Sequence, residues 1–235
     1  MADPATRTTL LGIPYTISGR RTHGGVSQVR WLGAARLLYL AEAVNVMTPC
    51  QFCEMDTLRS GIEAVWLTLD AAGGTPQPIP GTDNASSVAP GSNEDEVYYT
   101  LGGDTRVYRQ ILSTGQVSLV YDFGAAGIAR DVHIVGNRMA AVVGGRVHFA
   151  DNPTFGPTQW DSGGIVHVVN LQDGTEVILE SPPTPGLFRR PELSPSGAAV
   201  VAEVYPLIIT NPVPGSPIRD TTVSRVGDLY LFGQP

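Results

Sequence analysis

At 235 residues, 42% hydrophobic and 16% charged, with 27 glycines and 19 prolines, the chain has the length of one large all-β domain and the punctuation of many short strands. Lys and Arg number 15 against 22 Asp and Glu, a formal net charge of −7, which excludes a general electrostatic attraction to nucleic acid or to an anionic membrane surface. The longest apolar stretch, 198–210, is interrupted by Glu203 and Pro206 and falls short of the roughly 20 residues a membrane-spanning helix needs.

The N-terminal residues, Met1-Ala2-Asp3-Pro4, lack the basic-then-apolar pattern of a secretory signal. The compartment stays open between the cytoplasm and a chain numbered after removal of such a signal. Residues 8–17 read as an orphan strand carrying Pro14, which suits an outermost position in a sheet.

From residue 26 onwards one order of strands recurs, and that repetition sets the organisation. The first unit has strands at 26–33, 35–42 and 62–70, a turn at 71–74, and 75–80. The second has 86–91, 96–101, 105–112, a turn at 113–115, and 117–121. The third has 131–136, 139–143, 165–171, a turn at 172–174, and 176–179; the fourth has 191–197, 198–204 and 227–232. Asp173-Gly174 supplies the positive φ that a tight hairpin demands, and Thr114-Gly115 and Gly73-Gly74 can do the same. Second strands such as Ala198-Ala199-Val200-Val201-Ala202 are almost continuously apolar, as for strands buried on both faces. Third strands are more mixed, with Ala64, Trp66 and Thr68 on one face and Val65, Leu67 and Leu69 on the other.

The expected fold is therefore an all-β propeller in one domain, of about four blades with four antiparallel strands each. Blades fall at 26–81, 85–124, 129–181 and 188–235, with 8–17 completing the last. An orphan strand at the start and a blade lacking its outer strand at the end are complementary, so the N-terminal strand is expected to close the ring. The competing readings are a β-sandwich, which hardly yields one strand order four times over, and a fragment of a larger propeller.

Leu193-Ser194-Pro195-Ser196-Gly197 before an apolar strand resembles the S-P-D-G turn of WD40-like, TolB-type propeller repeats, with Ser196 where Asp is usual. Val168 to Glu176, with Asn170-Leu171-Gln172-Asp173-Gly174, resembles the D-L-x-T-G-E hairpin of the same repeats. In the first two units the pattern is degenerate, with Trp31-Leu32-Gly33 and Ala89-Pro90-Gly91 at the first turn. The resemblance implies the fold, and the family's members differ in function.

Signatures of chemistry are few. Ser162, in Trp160-Asp161-Ser162-Gly163-Gly164, is no nucleophile elbow and reads as turn chemistry. His23, His133, His148 and His167 are dispersed, without the spacing that sets two metal ligands on one helix face. The acidic run Asn93-Glu94-Asp95-Glu96 contains no calcium loop and reads as a solvated strand edge, and Arg189-Arg190 as solvated loop charges. Cys50 and Cys53 cannot complete a zinc site alone, which leaves a local disulfide or two free structural thiols. No catalytic residue, metal ligand or cofactor is expected.

Three insertions, 44–61, 146–163 and 206–225, fall between the second and third strands of their units, and equivalent places in a repeat map to one face. They carry Met47, Phe52, Met55, Phe149, Phe155, Trp160, Leu207 and Ile208, groups that suit a protein-binding surface if exposed and ring cover if folded back. The expectation is a non-enzymatic module or accessory subunit that docks on a larger protein assembly through this face. The alternatives are a hydrolase or lyase with its site in the central channel, and the propeller part of a peptidase.

Overall fold

A computed structural model describes residues 15–17, 20–22, 26–46, 59–144, 147–152, 156–161, 164–179, 186–210, 220–223 and 227–233. The chain divides into two compact units, Met1–Asn84 and Ala85–Pro235. Every strand pairing among the described residues is antiparallel. Four sheets of three or four blade strands, each drawn from one stretch of chain, give the four-bladed β-propeller class that the repeats announced. No helix among the described residues is long and apolar enough to cross a membrane.

In the first unit, β1 (Tyr15–Ile17) and β2 (Arg20–Thr22) form a hairpin. The blade follows as β3 (Val26–Leu32), β4 (Arg36–Val46), β5 (Arg59–Asp70) and β6 (Gln77–Pro78), in that spatial order. Tyr39, Ala41, Leu67 and Leu69 make its core, with Val65 packed against them.

In the second unit, β7 (Ala85–Pro90), β8 (Glu96–Leu101), β9 (Arg106–Ile111) and β10 (Val117–Asp122) form the second blade. The third has β11 (Ala129–Val135) and β12 (Arg138–Val143), then a separate hairpin of β13 (Val147–Asn152) and β14 (Gly156–Asp161), then β15 (Ile165–Asn170) and β16 (Glu176–Ile178). The fourth has β17 (Gly186–Leu193), β18 (Ala199–Thr210) and β20 (Asp228–Gly233), with β19 (Asp220–Val223) paired to the far end of β18.

Alternation along β12 shows why these sheets stack. Met139, Ala141 and Val143 enter one core with Ala89, Val107, Phe123 and Val132, whereas Ala140 and Val142 enter another with Phe188, Val200 and Ala202. One strand thus feeds two inter-blade cores, and its paired alanines let the flanking sheets approach. In the first and third blades the third strands are buried, with Trp66 to Leu69 and Val166 to Val169 all inside, whereas β9 and β20 keep the mixed exposure that was expected. The turns behave as their residues require. Gly174 (φ 73) and Gly197 (φ 70) occupy the left-handed region at two hairpin corners, including the Ser194-Pro195-Ser196-Gly197 turn.

Of the expected closing strand, 8–17, the described part is Tyr15–Ile17, which pairs with Arg20–Thr22; residues 8–14 lie outside the described residues.

Because Ala141 is fully enclosed, Ala141→Leu should destabilise the second unit by about 1–3 kcal/mol in urea unfolding. Leu119→Ala, on the exposed outer strand of the second blade, should stay within about 0.5 kcal/mol of the parent.

Candidate functional site

The described parts of all three predicted insertions are paired antiparallel strands. Strands β4 and β5 run on past the blade as a ladder, with Val44 opposite Ile62 and Val46 opposite Arg59. Strands β13 and β14 pair with Phe149 opposite Gln159 and Trp160 opposite His148. Strand β18 continues beyond the blade and takes β19 as partner, with Leu207 opposite Val223 and Ile208 opposite Thr222. It changes partner just after Pro206, a residue that has no N–H to give to a ladder. The second blade instead joins β8 to β9 through a short turn at Gly102-Gly103-Asp104. Met47, Phe52, Met55, Phe155, Cys50 and Cys53 lie outside the described residues. Phe149, Trp160, Leu207 and Ile208 are placed by backbone register alone.

A polar seam that the sequence did not announce lies where the first strands of the second unit run side by side, β7 against β11 and β11 against β17. Each has a break in register: between Ala85 and Ser87, between Arg130 and His133, and between Arg189 and Glu192. Asp131 (φ 50) and Arg190 (φ 48) sit at the last two breaks in the left-handed region, and Gln28 (φ 50) does so at the corresponding break of β3. Side chains in that conformation are strained, and a bulge frees backbone N–H groups that need acceptors.

The preceding blade supplies them. Ser87 Oγ accepts the Val132 N–H at 3.1 Å, Asp131 Oδ2 accepts the Arg190 N–H at 3.2 Å, and His133 Nδ1 accepts the Leu193 N–H at 2.9 Å. With Nδ1 an acceptor, the His133 proton is on Nε2, which faces Glu192 Oε2 at 3.1 Å. Both ring nitrogens are therefore engaged, which leaves no free base.

Charged groups surround the seam. Arg190 Nη1 reaches Glu203 Oε1 at 3.2 Å, Tyr205 donates to Glu203 Oε2 at 2.9 Å, and the Arg189 guanidinium lies 6.0 Å from the Tyr205 ring centre. Arg130 Nη2 donates to the Gly144 carbonyl at 2.7 Å. Arg189-Arg190, read as loop charges, thus belong to a strand. They are the repeat equivalents of Arg130-Asp131, and superposing the first strands of the repeat would have found them.

Two carboxylates, the exposed Glu176 and the buried Glu96, serve the fold. Glu176 bridges His167 Nδ1 and the Tyr121 hydroxyl, with the Phe123 ring edge-on to the imidazole. Glu96, expected in a solvated edge, is 3% exposed. It accepts from Ser92, Asn93, Tyr98 and Arg109, the last at 2.7 Å. Burial raises its pKa, but the hydrogen bonds from Tyr98 and Arg109 outweigh burial and hold it below the ordinary value, while burial and Glu96 push Tyr98 up to about 12. Among the described residues no group of three His, Cys, Asp or Glu could hold a metal ion.

No family model matches the chain, and no curated protein does. Among solved structures it is similar to a TolB-type protein from Agrobacterium tumefaciens, at 11% identity and TM-score 0.49 over 91% of this chain and 79% of that one. It is similar also to the Pyrococcus horikoshii acylaminoacyl peptidase (13%, TM-score 0.46, 90% and 32%) and to the β-propeller domain of the trilobed protease from Pyrococcus furiosus (10%, TM-score 0.41, 90% and 58%). These likenesses concern fold and carry no chemistry across.

The lowered Glu96 pKa gives stability that is complete above the ordinary value of 4.5 and is lost as pH falls through the folded-state value beneath it. Glu96→Gln should therefore flatten the acid limb of the stability–pH curve and cost roughly 1–3 kcal/mol at pH 7. An unchanged acid limb would contradict the assignment.

Proposed function

We propose that the chain is a non-enzymatic interaction module, one propeller domain that docks on a larger protein assembly through the face bearing its strand extensions. The observation that carries this reading is positional. Three of the four sheets lengthen their chain at the same step, between second and third blade strands, and each does so with paired backbone. The second blade makes the same connection with the four residues 102–105, so the fold itself does not need the extra length. Repeated elaboration at one step of a repeat builds one face, and Phe149, Trp160, Leu207 and Ile208 are carried there.

A catalytic channel has less support. Of the histidines whose side chains are described, His133 is engaged at both ring nitrogens, and His167 is buried against Glu176 and Phe123. Neither is set to move a proton to a bound substrate.

Replacing 145–163 by a short Asn-Gly turn should leave unfolding of the second unit within about 1 kcal/mol of the parent, because β12 and β15 keep their own ladder. Recovery of co-purifying protein from the native source should fall at least tenfold. Undiminished recovery would contradict the reading, as would turnover of small substrates by the isolated monomer.

A further inference from the structure

The outer edge of the fourth blade differs from the other three. Each of the first three blades ends on a strand that its own geometry blunts, as edge strands are when they are guarded against foreign pairing. Strand β6 is two residues long, and one of them is Pro78. Strand β10 breaks register against β9 between Leu119 and Tyr121, and β16 has three residues. Strand β20 has none of these devices. It is six residues long and runs in unbroken register against β18, from Gly233 opposite Ala199 to Asp228 opposite Val204. From Leu229 to Phe232 it carries neither proline nor charge.

The side chains of β20 are sorted by face. Tyr230 and Phe232 lean on the core built around Phe188, Val200 and Ala202. Leu229 and Leu231, opposite Glu203 and Val201, stand 74% and 75% exposed, the barest large apolar side chains among the described residues. Val117, Leu119, Val177 and Ile178 are exposed as well, but on strands that are bulged or short. Among the described residues β20 is paired on one side, to β18. Its other side presents a row of backbone N–H and C=O groups flanked by two bare leucines.

We propose that β20 pairs antiparallel with β20 of a second copy of this chain, joining two fourth blades edge to edge about a two-fold axis. The strand's own pattern selects that partner. Opposite residues of an antiparallel pair point to the same face, so self-pairing centred on Tyr230 sets Leu229 of each copy opposite Leu231 of the other. All four leucines then meet on one face of the joined sheet. Asp228, the one charge in the strand, falls at the two ends of the ribbon, opposite Phe232 of the second copy and far from its own equivalent. A six-residue edge buries less than the ~1,200 Å² of a stable interface, which sets the dissociation constant on the order of tens of micromolar. Each copy has a net charge of −7, so salt strengthens the pairing by screening the repulsion between copies. This pairing does not rest on the docking reading.

Sedimentation velocity of the full chain, from about 1 µM to about 1 mM and at about 0.05 M and about 0.5 M NaCl, tests it. The mass should rise from monomer to dimer with concentration, and should do so at lower concentration in the higher salt. Leu231→Lys puts a charge on the bare edge and should raise the dissociation constant on the order of tenfold or more. Leu231 is exposed, so this variant keeps the parent melting curve. Leu119→Lys, the same change on the bulged β10, should associate like the parent. Hydrogen exchange at 229–232 should slow in the dimer and stay fast in Leu231→Lys. A parent that remains monomeric to about 1 mM would overturn the pairing and return the edge to residues 8–14, part of the strand expected there from sequence. Equal association of parent and Leu231→Lys, an equal loss in Leu119→Lys, or growth beyond the dimer would each overturn it as well. The docking face is judged separately, by the hairpin exchange.

Discussion

Strand β12 has no solvent face, and the second unit depends on that. Its six residues, Arg138 to Val143, include five that are fully enclosed, and they alternate between two cores. A sheet with two apolar faces cannot exist alone in water; it needs a sheet on each side. Stacking along one direction is then forced, and the small side chains Ala140 and Ala141 set how closely the neighbours come. What remains for solvent is the outermost strand of each blade, where Val117, Leu119, Val177 and Ile178 stand exposed.

Stacked sheets create a second problem at their inner edges. The first strands run side by side, and each has a bulge that frees backbone N–H groups. Ser87, Asp131 and His133 take those groups from the next blade, so the polar residues of the seam act as inter-blade fasteners. That use accounts for a strained backbone at Asp131 and Arg190 without appeal to catalysis. It also explains why a histidine and a glutamate close together at His133 and Glu192 do not amount to an acid–base pair.

Much of the fold was legible because repetition and turn chemistry are local signals. Asp173-Gly174 and Ser194-Pro195-Ser196-Gly197 fix hairpin corners within a few residues, and apolar continuity at 139–143 marks the doubly buried strand, whereas in 198–202 only Val200 and Ala202 are enclosed. The pairing of Tyr15–Ile17 with Arg20–Thr22 was not legible. Burial of single polar groups was equally hidden. Glu96 looks like its neighbours Glu94 and Asp95 in sequence, and only the convergence of Ser92, Asn93, Tyr98 and Arg109 takes it inside. Arg189-Arg190 looked like loop charge because the bulge that places them is a property of strand pairing, which residue composition does not encode.

The interaction account requires that contact with a partner concentrate where the second strands end and the extensions begin. Hydrogen exchange of the full chain, alone and with the protein that co-purifies with it, reads this directly. The account predicts slowed exchange in 147–161 and 207–223 and at 129–131 and 186–190, with none in the outer strands β10 and β16. Protection confined to those outer strands, or to the turns at Gly115 and Gly174 on the opposite end, would contradict it.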